Sequence, residues 1–281
     1  MRFGNLADRL VLVTTDGVID AATASAGEVP SDPQRAYEYW PEVLDWARRT
    51  DAEPVSFEAS QLCSPIPRPR QVFAIGMNYA SHATEVGLPI PEFPSTFTKF
   101  PSCVAGPDAA VTLPSDHVDW EVELVVVIGR RAHNVPIEAA WSHVAGLTIG
   151  QDLSERVVQT RPPIPQFSLG KSFPHFGPIG PFLVTVDEFV DPDDLELSCT
   201  LNGEEVQRAR TSDLIFSVPS LISYLSSIVA LLPGDLVFTG TPGGVGASRT
   251  PARFLRAGDE LVSTIKGIGS LRTTFLAKEI A

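Results

Sequence analysis

The chain has 281 residues and a formal net charge of −13, with 43% hydrophobic and 20% charged residues. This composition is typical of a globular protein with enough chain to bury one large core. The strong negative charge argues against nucleic acid or an anionic membrane as the main partner, but it allows a small anion to bind at a locally basic site.

The cysteines and the N-terminal residues bear on where the protein works. Cys63, Cys103 and Cys199 are odd in number and contain no C-x-x-C pair, which favours reduced thiols over a disulfide framework or a zinc site. The opening MRFGNLADRL lacks a signal pattern, and no apolar run reaches the roughly 18 residues that a membrane helix needs. We therefore expect a cytoplasmic protein that does not bind membranes.

The first part of the chain predicts a small unit with both strands and a helix. LVLVTTDGVIDAA has two apolar runs around Asp16-Gly17, which indicates a β-hairpin. Ser31 is a candidate N-cap for a helix with Pro33 in its first turn, and Pro41 is expected to kink or divide that helix. A proline-rich linker follows at residues 63–71. We therefore divide the chain into a small N-terminal domain, 1–66, and a larger domain, 67–281.

From residue 72 onward the sequence is rich in short β-type runs broken by glycine and proline. Asn202-Gly203 predicts a two-residue hairpin turn. Helical spacing is restricted to about 136–144 and 218–231. The predicted fold class is therefore α+β and predominantly β, with a small α+β N-terminal extension.

The stretch VDWEVELVVVIG sets two glutamates at the start of an apolar strand. Glu121 and Glu123 are two residues apart, so a strand would place them on the same face. If the strand were at a wet edge, these side chains and Asp119 would simply be solvated. The apolar continuation on both faces favours burial instead, where one glutamate must take up a proton or a cation must neutralise both. Asp152 ends the later run VAGLTIGQD and is a possible third oxygen ligand for a metal such as Mg²⁺, Mn²⁺ or Ca²⁺.

The stretch GMNYASHATEVG contains a candidate general base. Asn78 or Ser81 could cap a short helix in which His82 and Glu85 are neighbours on one face. A carboxylate beside an imidazole raises its basicity. The alternative is an exposed ion pair on a helix.

Two further stretches are candidates for binding an anion. VFTGTPGGVG does not match a phosphate loop, yet its backbone N–H groups, including that of Gly240, and its Thr239 or Thr241 hydroxyl could hold a carboxylate. A plain turn is the alternative. Three polar or basic residues follow Asp152 in the chain, namely Arg156, Gln159 and Lys171. They could balance the charge of the carboxylates, or they could donate hydrogen bonds to an anionic substrate or oxyanion.

Taken together and in this order, eight motifs resemble the fumarylacetoacetate hydrolase family over roughly residue 70 to the end. They are IGMNYASHATEVG, the P-x-x-F-x-K-F-P phrase around Lys99, DWEVELVVVIGRRA, VAGLTIGQDLSER, GKSFPHFGPIGPFLVT, LNGEEVQ, TSDLIFSV and LLPGDLVFTGTPGGVG. The resemblance implies a mixed β-sandwich roll and a homodimer. Gln151, where the family more often has Asn, and the segment TRPPIPQ depart from the pattern and leave the substrate open.

The resemblance also implies roles for the candidate residues. Glu121, Glu123 and Asp152 match the family's metal ligands, which usually hold Mg²⁺ or Mn²⁺. His82 and Glu85 match the pair that activates water, and Lys171 a lysine that contacts substrate near the metal. Gln159 matches a polar residue on the oxyanion side, and Thr241 a threonine that holds the substrate carboxylate.

These roles predict chemistry on a small anionic 2-oxo acid. The leading hypothesis is a metal-dependent hydrolase that cleaves a C–C bond in a 2,4-dioxo acid of the acylpyruvate type. Alternatives are an oxaloacetate or other 2-oxo acid decarboxylase, and an isomerase or hydratase acting on unsaturated 2-oxo acids. A metal-binding protein without catalysis is disfavoured, because a pure binder does not need a base.

Overall fold

The structure is a computed structural model that describes residues 1–85 and 87–278. Within this part of the chain, short strands outnumber helices. The strands are β1 (Arg2–Leu6), β2 (Arg9–Val13), β3 (Val18–Asp20), β4 (Leu62–Cys63), β5 (Val72–Gly76), β6 (Ser95–Thr98), β7 (Val104–Ala105), β8 (Asp108–Thr112), β9 (Val118–Asp119), β10 (Val122–Ile128), β11 (Val144–Gln151), β12 (Ser154–Glu155), β13 (Gly177–Val184), β14 (Glu196–Leu201), β15 (Glu204–Arg210), β16 (Leu236–Phe238), β17 (Glu260–Ile265) and β18 (Gly269–Leu276).

The helices are mostly short connections between these strands. The α-helices are α1 (Ala21–Ala24), α2 (Pro33–Ala36), α3 (Trp40–Arg49), α4 (Ala80–Glu85), α5 (Arg156–Gln159), α6 (Phe167–Gly170) and α7 (Val218–Ile228). The 3₁₀ helices are Tyr37–Tyr39, Ala59–Gln61, Pro101–Cys103, Ile137–His143, Val186–Glu188 and Thr211–Asp213. No helix in the described residues is both long and apolar enough to cross a bilayer.

Two sheets form the framework. The larger has eleven strands, with a main path β3-β2-β1-β13-β11-β10-β16-β5-β6, and the smaller has the order β15-β14-β17-β18-β8. Most neighbours are antiparallel, but three pairs are parallel: β16 with β5, β18 with β8 and β13 with β7. A buried apolar cluster joins the two sheets, since it contains alternate residues of β10 together with residues of β14 and β17. This arrangement confirms the predicted α+β fold, a mixed β-sandwich.

The central strand β10 lies between two apolar cores, and its side chains alternate between them. Leu124 and Val126 point into the core between the sheets, whereas Val125 and Val127 point to the opposite face. Every residue of β10 is buried, as the apolar run predicts. Glu123 shares the face of Val125 and Val127, because side chains alternate along a strand.

The N-terminal residues continue the large sheet. Strand β1 pairs with β13, and β2 and β3 form the hairpin predicted at Asp16-Gly17. The aromatic side chains of Phe3 and Trp40 lie in the same core as Val125 and Phe238. The N-terminal part is thus in direct contact with the rest, and the division at residue 66 stays a prediction.

The local helix predictions are confirmed with changes in detail. The N-cap of α2 is Asp32, one residue after the predicted Ser31, and its side chain accepts from the N–H groups of Gln34 and Arg35. The helix is divided, as Pro41 allows, and Pro41 lies in the first turn of α3. The segment predicted at 136–144 is a 3₁₀ helix, and the one at 218–231 ends at Ile228. Asn202 and Gly203 both have positive φ, which is the geometry of the predicted turn.

Candidate active site and metal centre

Three carboxylates meet beside the central strands. Oxygen atoms of Glu121, Glu123 and Asp152 lie within 4.8 Å of one another, and all three residues are buried. Antiparallel pairing of β10 with β11 brings them together, because Val122 lies opposite Gln151 and the N–H of Asp152 donates to the carbonyl of Glu121 at 2.9 Å. The predicted cluster is therefore formed by adjacent strand ends.

Lysine and arginine side chains neutralise most of this charge. The Lys171 ammonium donates to Glu121 Oε2 and to Asp152 Oδ2, both at 2.6 Å. Burial opposes the charged form of Lys171, but these two carboxylates raise its pKa above the ordinary value. Burial likewise opposes the charged form of Glu121, and Lys171, Arg156 and His82 together lower its pKa well below the usual range.

Glu123 is the exception in the cluster. It accepts the Gly240 N–H at 2.7 Å, and none of the described lysine or arginine side chains is paired with it. Burial, followed by the neighbouring Asp152 and Glu121, raises the pKa of Glu123 well above its ordinary value. A buried carboxylate without a cation, next to two other carboxylates, fits a bound divalent ion. The all-oxygen donor set suits a hard cation.

Asp119 is buried as well, and it holds Arg156. The guanidinium Nε and Nη2 donate to Asp119 Oδ2 at 2.9 and 2.7 Å. Nη1 donates to Glu121 Oε1 at 2.7 Å and to Gln159 Oε1 at 2.9 Å. The other oxygen of Asp119 accepts the Gly246 N–H. Arg156 is therefore largely engaged with protein carboxylates, and Asp119 is not the solvated residue that a wet strand would give.

The glycine-rich turn after β16 connects the cluster to the predicted base. Gly240 has φ +104° and donates to Glu123, whereas Gly244 has φ +106° and donates to both Glu85 oxygens at 3.0 and 3.1 Å. A positive φ favours glycine at both positions. The turn therefore orients a carboxylate of the cluster at one end and the helix α4 at the other.

His82 and Glu85 form a pair on α4. Nδ1 of His82 lies 3.4 Å from Glu85 Oε2, and the two side chains are 12% and 23% exposed. Of the two predicted caps, Ser81 lies inside α4 and accepts the Gly243 N–H, and Asn78 also has other partners. Its amide donates to the carbonyls of Thr239 and Phe216, which attaches the segment before α4 to the end of β16.

A cavity of about 450 Å³ brings the two groups together. The His82–Glu85 pair and the Glu121–Lys171 pair both line it, and much of the remaining wall is apolar. The lining residues are Ile75, Gly76, Met77, His82, Glu85, Leu88, Phe97, Glu121, Arg156, Gln159, Thr160, Phe167, Lys171, Thr241, Val245, Ala247 and Ser248. A small molecule in this cavity can thus contact the His82–Glu85 pair and the edge of the carboxylate cluster at the same time.

Some of the residues predicted to bind substrate line the cavity, whereas another is bound to a protein carboxylate. Gln159 and Thr241 line the cavity. The Thr241 hydroxyl donates to the Val122 carbonyl and accepts from Gln207, so it also ties the turn to β10. The N–H of Gly240 is occupied by Glu123, so in this geometry it supports a carboxylate of the protein.

Sequence reasoning missed three polar residues behind the site. Lys99 is 1% exposed and donates to Asp152 Oδ1 at 2.7 Å. Gln207 donates to Thr241, and its Oε1 accepts the Val122 N–H. Gln151 accepts the Glu121 N–H and donates to Ser263 of the smaller sheet at 2.8 Å. All three residues lie in the motifs of the family resemblance, but a motif does not reveal these partners.

Comparisons with known proteins find relatives that share the fold. The family model described as Fumarylacetoacetate (FAA) hydrolase C-terminal matches residues 71–276. The human protein named Oxaloacetate tautomerase FAHD2A, mitochondrial, is 44% identical over 208 residues, which are 73% of this chain and 66% of the human protein. This chain thus spans just under two thirds of that relative.

Two solved structures are similar as well. A structure described as that of an HpcE protein from Mycobacterium smegmatis has a TM-score of 0.95 and 53% identity, covering 99% of this chain and 100% of that one. Fumarylpyruvate hydrolase from Pseudomonas aeruginosa, solved in complex with Mn²⁺ and pyruvate, has a TM-score of 0.68 and 35% identity, covering 75% of this chain and 91% of that one. The chain belongs to the fumarylacetoacetate hydrolase family.

Proposed function

We propose that this protein is a divalent-metal-dependent hydrolase that cleaves the C3–C4 bond of a 2,4-dioxo acid of the acylpyruvate type. One observation carries the proposal: the His82–Glu85 pair opens on the same cavity as the Glu121 edge of the carboxylate cluster. Because a carboxylate-paired imidazole is a suitable general base, a bound 2-oxo acid would have a base within the same enclosed space.

We propose Mg²⁺ or Mn²⁺ as the ion, held by Glu121, Glu123 and Asp152. The oxygen donors support this choice, and the Mn²⁺ and pyruvate bound to the Pseudomonas relative support it further. When bound, such an ion supplies Lewis-acid polarisation of a 2-oxo acid. The remaining chemistry falls to side chains of this chain.

His82, oriented by Glu85, takes a proton from a water molecule that attacks the C4 carbonyl. The bond between C3 and C4 then breaks, and its electron pair stays on C3 of the pyruvate product. Return of a proton to C3 gives pyruvate, while C4 leaves as a carboxylic acid. Lys171 donates hydrogen bonds at the pyruvate end, and Gln159 lines the wall where the C4 oxygen gains charge.

The apolar wall of the cavity supports an uncharged acyl group on C4. Met77, Phe97, Phe167 and Val245 line it, and the Phe97 and Phe167 rings make an edge contact with centroids 5.6 Å apart. Arg156 and Lys171, the described lysine and arginine residues of the wall, both donate to the carboxylate cluster. A second substrate carboxylate far from the cluster would therefore lack a cation.

The second candidate is a tautomerase for oxaloacetate. The observation that favours it is the 44% identity to the human oxaloacetate tautomerase. The same base would move a proton between C3 and the 2-oxo oxygen without consuming water. A decarboxylase would likewise use the pyruvate end of the site and need no attacking water.

The test compares two substrates with Mn²⁺ and with EDTA. We expect 2,4-dioxopentanoate to yield pyruvate and acetate only with Mn²⁺, and Glu85→Gln to slow this by about 100-fold. The exposed substitution Glu53→Gln is the matched control. Enol-to-keto conversion of oxaloacetate without cleavage of the dioxo acid would establish the second candidate instead. No turnover of either substrate by Mn²⁺-loaded protein would exclude both.

The cytoplasmic location and the homodimer expected from the sequence stay predictions. Light scattering of the purified chain checks the homodimer.

A further inference from the structure

Lys99 is a buried cation that the proposed reaction does not use. It follows β6 directly, its side chain is 0% exposed, and it does not line the cavity. A substrate in the cavity therefore does not contact it. Charged lysine side chains are rarely buried unless they are paired, so its partners indicate its role.

The partners of Lys99 are both parts of the candidate metal centre. Nζ donates to Asp152 Oδ1 at 2.7 Å and to the backbone carbonyl of Lys171. The other oxygen, Asp152 Oδ2, faces the side where Lys171 and Glu121 lie, because Lys171 Nζ bridges Asp152 Oδ2 and Glu121 Oε2. Lys99 thus holds Oδ1 of Asp152, while Oδ2 lies on the side of Glu121 and Lys171.

A second contact fixes the same two segments to each other. The N–H of Phe100 donates to Ser172 Oγ at 2.9 Å, next to the contact between Lys99 and the Lys171 carbonyl. The lysine stem is also closely enclosed, since a Cβ at Gly177 would lie 3.3 Å from Lys99 Cε. The buried stem of Lys99 therefore packs closely against the backbone at Gly177.

We propose that Lys99 is a positioning residue for the metal centre. It holds Asp152 by one oxygen so that the carboxylate offers the other to the ion, and it holds the backbone of Lys171 so that its ammonium points at the cluster. The role rests on the metal site put forward above. Partners behind a ligand typically change metal affinity by about 10–100-fold when they are removed.

The test is Mn²⁺ binding to the full chain, measured by titration calorimetry at 10 °C, with Lys99→Met as the variant. Methionine keeps the length of the stem and removes the donor. We expect the Kd for Mn²⁺ to rise by about 10-fold or more. Lys266→Met, at an exposed position, is the matched control and should leave the Kd unchanged.

Thermal unfolding with Mn²⁺ and with EDTA separates positioning from simple structural support. We expect the stabilisation by Mn²⁺ to shrink in Lys99→Met, because weaker binding stabilises the folded state less. If Tm fell equally in both conditions and the Kd stayed within about twofold of wild type, the role would be overturned.

A second variant covers the case in which Lys99→Met does not fold. Lys99→Gln keeps a neutral donor, is measured in the same way, and should weaken Mn²⁺ binding less than Lys99→Met. If Lys99→Met does not fold and Lys99→Gln binds Mn²⁺ with the Kd of the wild type, the proposed role would be overturned. Failure of the wild-type chain to bind Mn²⁺ would instead overturn the metal site itself, and this role with it.

Discussion

The carboxylate cluster and the His82–Glu85 pair are built in opposite ways. The cluster lies at the ends of central strands, and its three carboxylates are at most 5% exposed. The pair lies on the six-residue helix α4, is partly exposed, and is held to the glycine turn by Glu85 and Ser81. Strand pairing fixes the first group and docking of a short helix fixes the second, so the two should respond to different substitutions.

The largest effect is expected from removing one of the three carboxylates. Asp152→Asn should raise the Kd for Mn²⁺ on the order of 100-fold or more, since it removes a ligand charge rather than a supporting contact. Metal titration and activity should fall together. Glu138→Gln, at an exposed position, is the control. Lost activity with unchanged Mn²⁺ affinity would mean that the cluster serves as acid–base groups.

Removing the base should affect catalysis alone. His82→Gln should lower the rate of C–C cleavage by about 100-fold while the Kd for Mn²⁺ stays near that of the wild type, because the imidazole is not one of the three oxygen donors. His133→Gln, on the surface, is the control. A large loss of Mn²⁺ affinity in His82→Gln would show that the two groups are not separable.

The two ends of the glycine turn allow a sharper comparison. A Cβ at Gly240 would lie 2.7 Å from Asn78 Cβ, and one at Gly244 would overlap the Val206 carbonyl oxygen. Alanine at either position should destabilise the fold by roughly 1–3 kcal/mol. We expect Gly240→Ala to weaken Mn²⁺ binding through Glu123, and Gly244→Ala to lower activity through Glu85. Equal effects of both on Mn²⁺ affinity would contradict the separation.

The smallest effect concerns the protonation of Glu123 in the metal-free protein. Because its pKa is raised in the folded state, the fold loses stability as the pH rises from the ordinary glutamate pKa to the raised one, and this cost is absent only below the ordinary pKa. Glu123→Gln in EDTA should therefore have a higher Tm than wild type at alkaline pH and the same Tm at acidic pH. A difference in Tm that does not change with pH would show that charge is not the cause.

The fold and the site differ in how much of them the sequence could predict. The faces of β10, the hairpins and the acidic run follow from period-two alternation and from turn residues that tolerate positive φ, both of which are local. The short helix predicted after Asn78 is present as α4, but Asn78 does not cap it, because its amide donates to the carbonyls of Phe216 and Thr239, which lie far along the chain. Local pattern does not reveal such long-range partners.

By itself, the sequence predicted that Glu121 and Glu123 lie close together at the start of a buried strand, and that His82 and Glu85 share a face of a short helix. Only the tertiary structure decided that the N–H of Asp152 donates to the carbonyl of Glu121 and that Lys99 donates to the Asp152 carboxylate. It also decided that the glycine turn joins both groups. Periodicity along a chain specifies the direction of a side chain, whereas strand register and packing specify its partner.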